Sequence, residues 1–222
     1  MGDIVMSDES ELDAASVIEA EPAAAGELFG DRIELARQYA SDLVAHGEAL
    51  GLIGPSELRR LWTRHILNCA LLAPLILPGR IGDIGSGGGL PGLVLAIARP
   101  DVEFILIEPM ERRVDWLVRE SHLLGLGNVE VIRARAEEAK VLPRLDQVTA
   151  RAVSALSKLI PATIPLVRSG GQLLFLKGAN VDAEVEAAMR VIRRSRLTEV
   201  EILTLGEGVV TEVTRVFRAR VD

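Results

Sequence analysis

Ile81-Gly-Asp-Ile-Gly-Ser-Gly-Gly-Gly-Leu-Pro-Gly92 starts as a short β-prone run, breaks into glycines and then meets a proline suited to a first helical turn. Gly85, Gly87, Gly88 and Gly89 stand where a strand turns sharply into a helix, a place where a Cβ would block backbone approach to a ligand. Working outward, β-rich runs at Ile81 to Ile84, Glu103 to Ile107, Val129 to Ile132, Gln147 to Ala150, Gln172 to Leu176, Glu199 to Leu203 and Val209 to Arg218 predict seven strands. Helices are expected between them at Pro91 to Ala98, Arg112 to Leu124, Ala155 to Val167 and Val181 to Arg194. Strands alternating with helices in this way predict an α/β fold with a mostly parallel sheet.

Charge decides what the loop holds. A dinucleotide fingerprint wants a glycine three residues after Gly87, where Leu90 stands, and a P-loop wants Gly-Lys-Ser/Thr, but this loop contains no lysine. Asp83 followed by Gly85, Gly87 and Gly89 suits S-adenosylmethionine instead, whose sulfonium is cationic and which carries no phosphate. Asp83 then helps offset that charge. Glu108, at the end of the second strand, accepts the ribose hydroxyls, and the adenine sits near Ala136 and Glu137 past the third strand. All these residues fall on the carboxyl edge of the expected sheet, where open α/β folds bind ligands.

The rest of the chain sets limits. Its 222 residues are 49% hydrophobic and 26% charged, the composition of one soluble globule with a sizeable core. The net charge of −7 comes from the first 30 residues, which carry eight acids and no Lys or Arg, leaving 24 acids against 25 bases in the remainder. Residues 1–26 therefore read as a flexible acidic tail, 27–78 as a helical segment and 79–222 as the cofactor-binding α/β domain. Within the helical segment, one amphipathic helix is expected from Gly26 to Leu50. A second, capped by Ser56, has Leu58, Leu61, Trp62, His65, Ile66 and Cys69 on one face and Arg60, Arg64 and Asn68 on the other. A single cysteine, no basic n-region and no apolar run of about 18 to 20 residues point to the cytoplasm, without disulfide or membrane span. Three scattered histidines lack metal-ligand spacing, so no metal is expected.

Arg64-His65-Ile66-Leu67-Asn68, Asp83 to Gly92, Ile107 to Leu117, Ala134-Arg-Ala-Glu-Glu138, Ala150-Arg-Ala152 and Leu176-Lys-Gly178, taken in order, resemble the RsmG (GidB) family. These are bacterial methyltransferases that modify a guanine of 16S ribosomal RNA at N7. The resemblance implies a class I S-adenosylmethionine-dependent methyltransferase, a Rossmann-like fold with N-terminal helices. It also implies cofactor contacts at Gly85, Leu90, Ala136, Glu137 and Arg151, and a target in the 530 loop of the RNA or small ribosomal particle. The chain departs from the family in having Glu108 where Asp is common, and Gly51-Leu-Ile-Gly54 where Asn-Leu-Thr is common.

Guanine N7 offers a lone pair, so its methylation needs alignment and no general base. No Asn/Asp-Pro-Pro-Tyr/Phe tetrapeptide for amino methylation follows the fourth strand, where Arg151-Ala-Val-Ser154 stands. Cys69, on an apolar helix face, is misplaced for a cytosine-ring nucleophile and reads as a packed thiol. Arg151 and Lys177 are the positioning candidates, and Arg60, Arg64, Arg133 and Arg135 the RNA-phosphate candidates. His65 reads as a satisfied structural histidine. With only seven aromatics, recognition of RNA by base stacking is disfavoured. A monomer is expected. A small-molecule methyltransferase and a non-catalytic cofactor-fold protein stand as alternatives: methyl transfer assayed on RNA against metabolites separates the first, and calorimetric binding of S-adenosylmethionine without any product would favour the second.

Overall fold

A computed structural model describes residues 18–222. After the helices α1 (Ala24–Phe29) and α2 (Ile33–His46) and the short α3 (Asn68–Ala70), the chain runs β1 (Arg80–Ile84), α4 (Gly92–Ala98), β2 (Glu103–Ile107), α5 (Glu111–Leu123) and β3 (Val129–Ile132). It continues through β4 (Leu145–Arg151), α6 (Leu156–Thr163), β5 (Val167–Lys177), α7 (Val181–Arg194), β6 (Leu197–Leu205) and β7 (Thr214–Val221). One sheet results, in the order β3-β2-β1-β4-β5-β7-β6, parallel except for β7, which is antiparallel to both neighbours.

The strands are apolar at both parities because the sheet is covered on both faces. Phe104 and Leu106 of β2 and Leu174 and Leu176 of β5 point into one core, shared with the N-terminal helices, α4 and α5. Ile105 and Ile107, with Leu173 and Phe175, point into the other, closed by α6 and α7. No helix among the described residues is long and apolar enough to cross a membrane.

Four sequence expectations are corrected. The acidic tail does not reach residue 26: Ala25 is buried in α1, the Glu19 N–H donates to the Leu58 carbonyl, and Glu21 pairs with Arg37 at 2.6 Å. Most of that expected tail, residues 1–17, lies outside the described residues. The second helix is not a Ser56-capped α-helix. Gly54 precedes a 3₁₀ turn over Pro55–Arg60, with Pro55 in its first turn, and a π-helical run follows over Leu61–Leu67. Helix α6 stops at Thr163 because Pro165 cannot donate to its ladder, and Val167 already belongs to β5. The last strand begins at Thr214 rather than Val209, since Gly206 and Gly208 turn the chain into a loop that ends at Val213.

Helices α2 and α5 meet around a buried acid. Glu120 is fully buried, and burial, reinforced by the neighbouring Asp42 carboxyl, pushes its pKa from 4.5 up to about 8. The folded protein thus holds a proton that the unfolded chain releases, so this group favours folding most below 4.5 and progressively less as pH rises toward 8. Glu120→Gln, which stays neutral, is expected to flatten that decline in urea titrations across the window. An identical pH slope in parent and variant would assign the dependence to another group.

Candidate cofactor site and adjoining cleft

The strand order reverses between β1 and β4, and ligands of open α/β sheets bind beyond the strand ends at such a point. The glycine loop leaves β1 there, Glu108 follows β2, Arg151 ends β4 and Lys177 ends β5. Topology therefore brings to one edge residues that are up to 92 positions apart, Gly85 and Lys177.

The loop is held from behind by aromatic side chains. The Gly88 carbonyl accepts hydrogen bonds from the Tyr39 hydroxyl and the Trp116 indole N–H, each at 2.9 Å. Tyr39 of α2 and Trp116 of α5 are both buried, so a carbonyl with two lone pairs has both filled, one from an N-terminal helix and one from the helix after β2. Sequence reading missed this clamp, although the only tyrosine in a chain so poor in aromatics was a signal.

In front, Glu108 fastens the loop to β2. One of its oxygens accepts the Gly87 N–H at 3.0 Å and the other the Met110 N–H at 2.9 Å. Asp83 lies deeper than the sequence suggested. It is fully buried, accepting the Gly92 N–H at 2.9 Å and the Thr149 hydroxyl at 3.2 Å, so it braces the turn into α4. Burial raises its pKa to about 6, against the pull of hydrogen bonds from Ser86, Gly92 and Thr149. A Cβ on Gly92 would lie 2.6 Å from that carboxylate, which is why the helix starts on glycine. Gly87 differs: its φ is +56°, and a Cβ there would meet nothing closer than the Gly85 carbonyl oxygen at 3.8 Å. Gly85 and Gly89 complete the turn and Leu90 is buried beneath it; Ala136 is half-buried and Glu137 exposed past β3.

Beyond β4 and β5 opens a cleft of about 920 Å³. Of the expected cofactor residues, Arg151 lines it, together with Arg64, His65, Lys177, Glu57 and Glu212. Lys177 is tied down, donating to the Ser154 carbonyl at 2.8 Å and to Glu184 at 2.7 Å, and only 10% of its side chain is exposed. Arg60 meets Glu212 at 2.5 Å, and Arg64 meets Glu57 at 3.2 Å and Glu212 at 3.8 Å. Arg133 pairs with Glu111 at 2.7 Å on the far side of the edge, and Arg135 is exposed.

His65 is satisfied, as its apolar neighbours predicted, but it is not remote from the site. Its Nε2 lies 2.8 Å from Glu57 and its Nδ1 2.7 Å from Arg151. Burial first, then the Arg151 charge, hold its pKa down at about 4, with Glu57 opposing. Cys69 is fully buried and its thiol is pushed up to about 11 by that burial, consistent with packing alone. Among the described residues no group of three His, Cys, Asp or Glu side chains is arranged to hold a metal.

An open face over Gly87, a buried acid at the end of β2, no cation in the loop and a guanidinium at the end of β4 fit a cofactor that carries hydroxyls and a carboxylate but no phosphate. The same fold occurs in the N-methyltransferase NodS from Bradyrhizobium japonicum WM9, solved with S-adenosyl-L-homocysteine. That match has a TM-score of 0.55 at 16% identity, over 78% of this chain and 97% of that one. It occurs also in the tRNA (m1A58) methyltransferase TrmI from Aquifex aeolicus, with a TM-score of 0.55 at 16% identity over 70% and 68% of the two chains. Fold and site together define a class I S-adenosylmethionine-dependent methyltransferase.

Residues 32–213 match the family described as rRNA small subunit methyltransferase G, GidB. The chain is 63% identical over 205 residues to the ribosomal RNA small subunit methyltransferase G of Clavibacter michiganensis subsp. michiganensis, spanning 92% of this chain and 97% of that protein. It is 59% identical to the protein of that name from Leifsonia xyli subsp. xyli, over 92% and 98% of the two chains. This chain belongs to the rRNA small subunit methyltransferase G family.

Proposed function

We propose that the protein methylates N7 of a guanosine in 16S rRNA, within the 530 loop that the family resemblance indicates, working in the cytoplasm as a monomer. The observation that carries the reading is the 63% identity, across nearly the whole chain, to a protein named for methylation of small-subunit rRNA. Bound S-adenosylmethionine supplies a methyl group activated by a positively charged sulfur. The chain's own residues bind and align: Gly85, Gly87 and Gly89 give backbone access, Glu108 accepts hydroxyls, Ala136 and Glu137 flank the base, and Asp83 sets a negative charge behind the loop. The cleft chemistry supports a nucleophile that brings its own lone pair. His65 is engaged on both nitrogens, and Lys177 is paired to Glu184, so neither is poised to remove a proton.

Mass mapping of 16S rRNA from cells with and without the protein tests this. One methyl lost from a guanosine of the 530 loop is expected; loss elsewhere, or no loss, overturns the assignment. Purified protein offered free RNA or assembled small subunits then identifies the substrate form.

Arg60 and Arg64 converge on one carboxylate, Glu212, in the loop before β7. Two arginines around a single anion also suit an RNA phosphate, which would have to replace Glu212. Removing both, Arg60→Ala with Arg64→Ala, is expected to lower the salt dependence of rRNA binding by about one to two units. Glu212→Gln is expected to act in the opposite direction and tighten binding. Fluorescence titrations at several salt concentrations read both, and a Glu212→Gln protein that binds no tighter would count against this surface.

A further inference from the structure

Three of the cations lining the cleft have acidic partners: Arg64 meets Glu57 and Glu212, Lys177 meets Glu184, and Arg215 meets Asp182 at 2.9 Å. Arg151 is held differently. One guanidinium nitrogen donates to the Arg64 carbonyl at 3.1 Å and another to His65 Nδ1 at 2.7 Å, and among the described residues no carboxylate lies within ion-pair distance. Both acceptors are neutral. A carboxylate partner would orient the guanidinium but cancel its charge, whereas no partner would leave a long side chain free to rotate. A carbonyl and an imidazole lone pair orient it and leave the charge intact.

The proton inventory fixes the ring. Arginine has donors and no acceptor, so Nδ1 must present its lone pair to Arg151. The ring proton then sits on Nε2 and is donated to Glu57 at 2.8 Å. His65 is 9% exposed, on the π-helical run, and thus links the helical N-terminal segment to the end of β4.

We propose that His65 is a positioning residue: a neutral imidazole, its tautomer set by Glu57, that aims the Arg151 guanidinium into the cleft without cancelling its charge. The aimed group meets an oxygen acceptor, either the cofactor's carboxylate or an oxygen of the RNA. The inference rests on reading this cleft as the methyl-transfer site.

The full-length chain tests it with His65→Gln and His65→Phe. Glutamine can accept from Arg151 and donate to Glu57, whereas phenylalanine fills similar space and does neither. Calorimetry with S-adenosylmethionine forms one arm and titration of a 16S rRNA fragment the other. His65→Phe should lose about tenfold in at least one arm while His65→Gln stays within about threefold of the parent. The arm that responds names the acceptor, and a loss in either supports the proposal. Equal losses in both variants would reduce His65 to packing, and no loss with phenylalanine would remove the role altogether; either overturns it. Should phenylalanine prevent folding, nitrogen-15 spectra of the parent at neutral pH decide: a bare Nδ1 and a protonated Nε2 are expected, and a proton on Nδ1 overturns the proposal. Because the cofactor arm and the spectra need no RNA, a parent that fails to methylate 16S rRNA would sink the assigned function while leaving this test standing.

Discussion

Gly87→Val is expected to lower affinity for S-adenosylmethionine by about 100-fold or more, equivalent to about 2.7 kcal/mol, with the fold retained. An added Cβ at Gly87 meets nothing in the protein closer than the Gly85 carbonyl oxygen at 3.8 Å, so a side chain there stands where a ligand must approach the loop backbone. Stability still suffers, because valine at a φ of +56° is strained, at a cost of about 1–2 kcal/mol. In a chain of this length that is a fall in Tm of a few degrees, roughly 2–4 °C per kcal/mol. Calorimetry reads the first effect and thermal circular dichroism the second. Gly87→Ala separates them, since it carries the strain with less obstruction and should retain more affinity. Unchanged cofactor binding by the valine variant would mean that the glycine loop is only a turn.

The second large effect is expected at Trp116, whose ring is 2% exposed and whose indole N–H holds the Gly88 carbonyl. Trp116→Ala empties a large volume between α5, α2 and the loop, and such truncations cost about 3–5 kcal/mol. The Arg119 guanidinium, 5.0 Å from the ring centroid, loses its platform as well. Affinity for the cofactor should fall with stability, because the carbonyl keeps only its bond from Tyr39. Tyr39→Phe is the milder counterpart: it preserves packing and removes one hydrogen bond, about 1 kcal/mol. If Trp116→Ala costs under about 1 kcal/mol and binds cofactor as the parent does, the loop is not held by α5.

Seven strands, the helices between them and the glycine loop were legible along the chain because each is written in local chemistry. Short runs rich in β-branched residues mark a strand, a 3.6-residue period marks a helix such as Val181–Arg194, and glycine adopts the positive φ of the turn at Gly87 without strain. That same local information placed Glu108, Arg151 and Lys177 on one edge, since strand ends in a parallel α/β sheet share a side. What each side chain does there depended on residues arriving from elsewhere. Asp83 reads from its position as a charge facing the cofactor, and folding buries it against Gly92 and Thr149. Arg60 and Arg64 read as a free basic face, yet Glu212 is delivered to them from a loop 148 residues beyond Arg64, formed because Gly206 and Gly208 delay the last strand. His65 reads as core from its neighbours, and the π-helical run turns it between Glu57 and Arg151. Periodicity and glycine content are properties of neighbours in sequence and survive without the fold. Hydrogen-bond partners and burial are properties of neighbours in space, so they were decided only when the sheet brought β1, β4 and the N-terminal helices together.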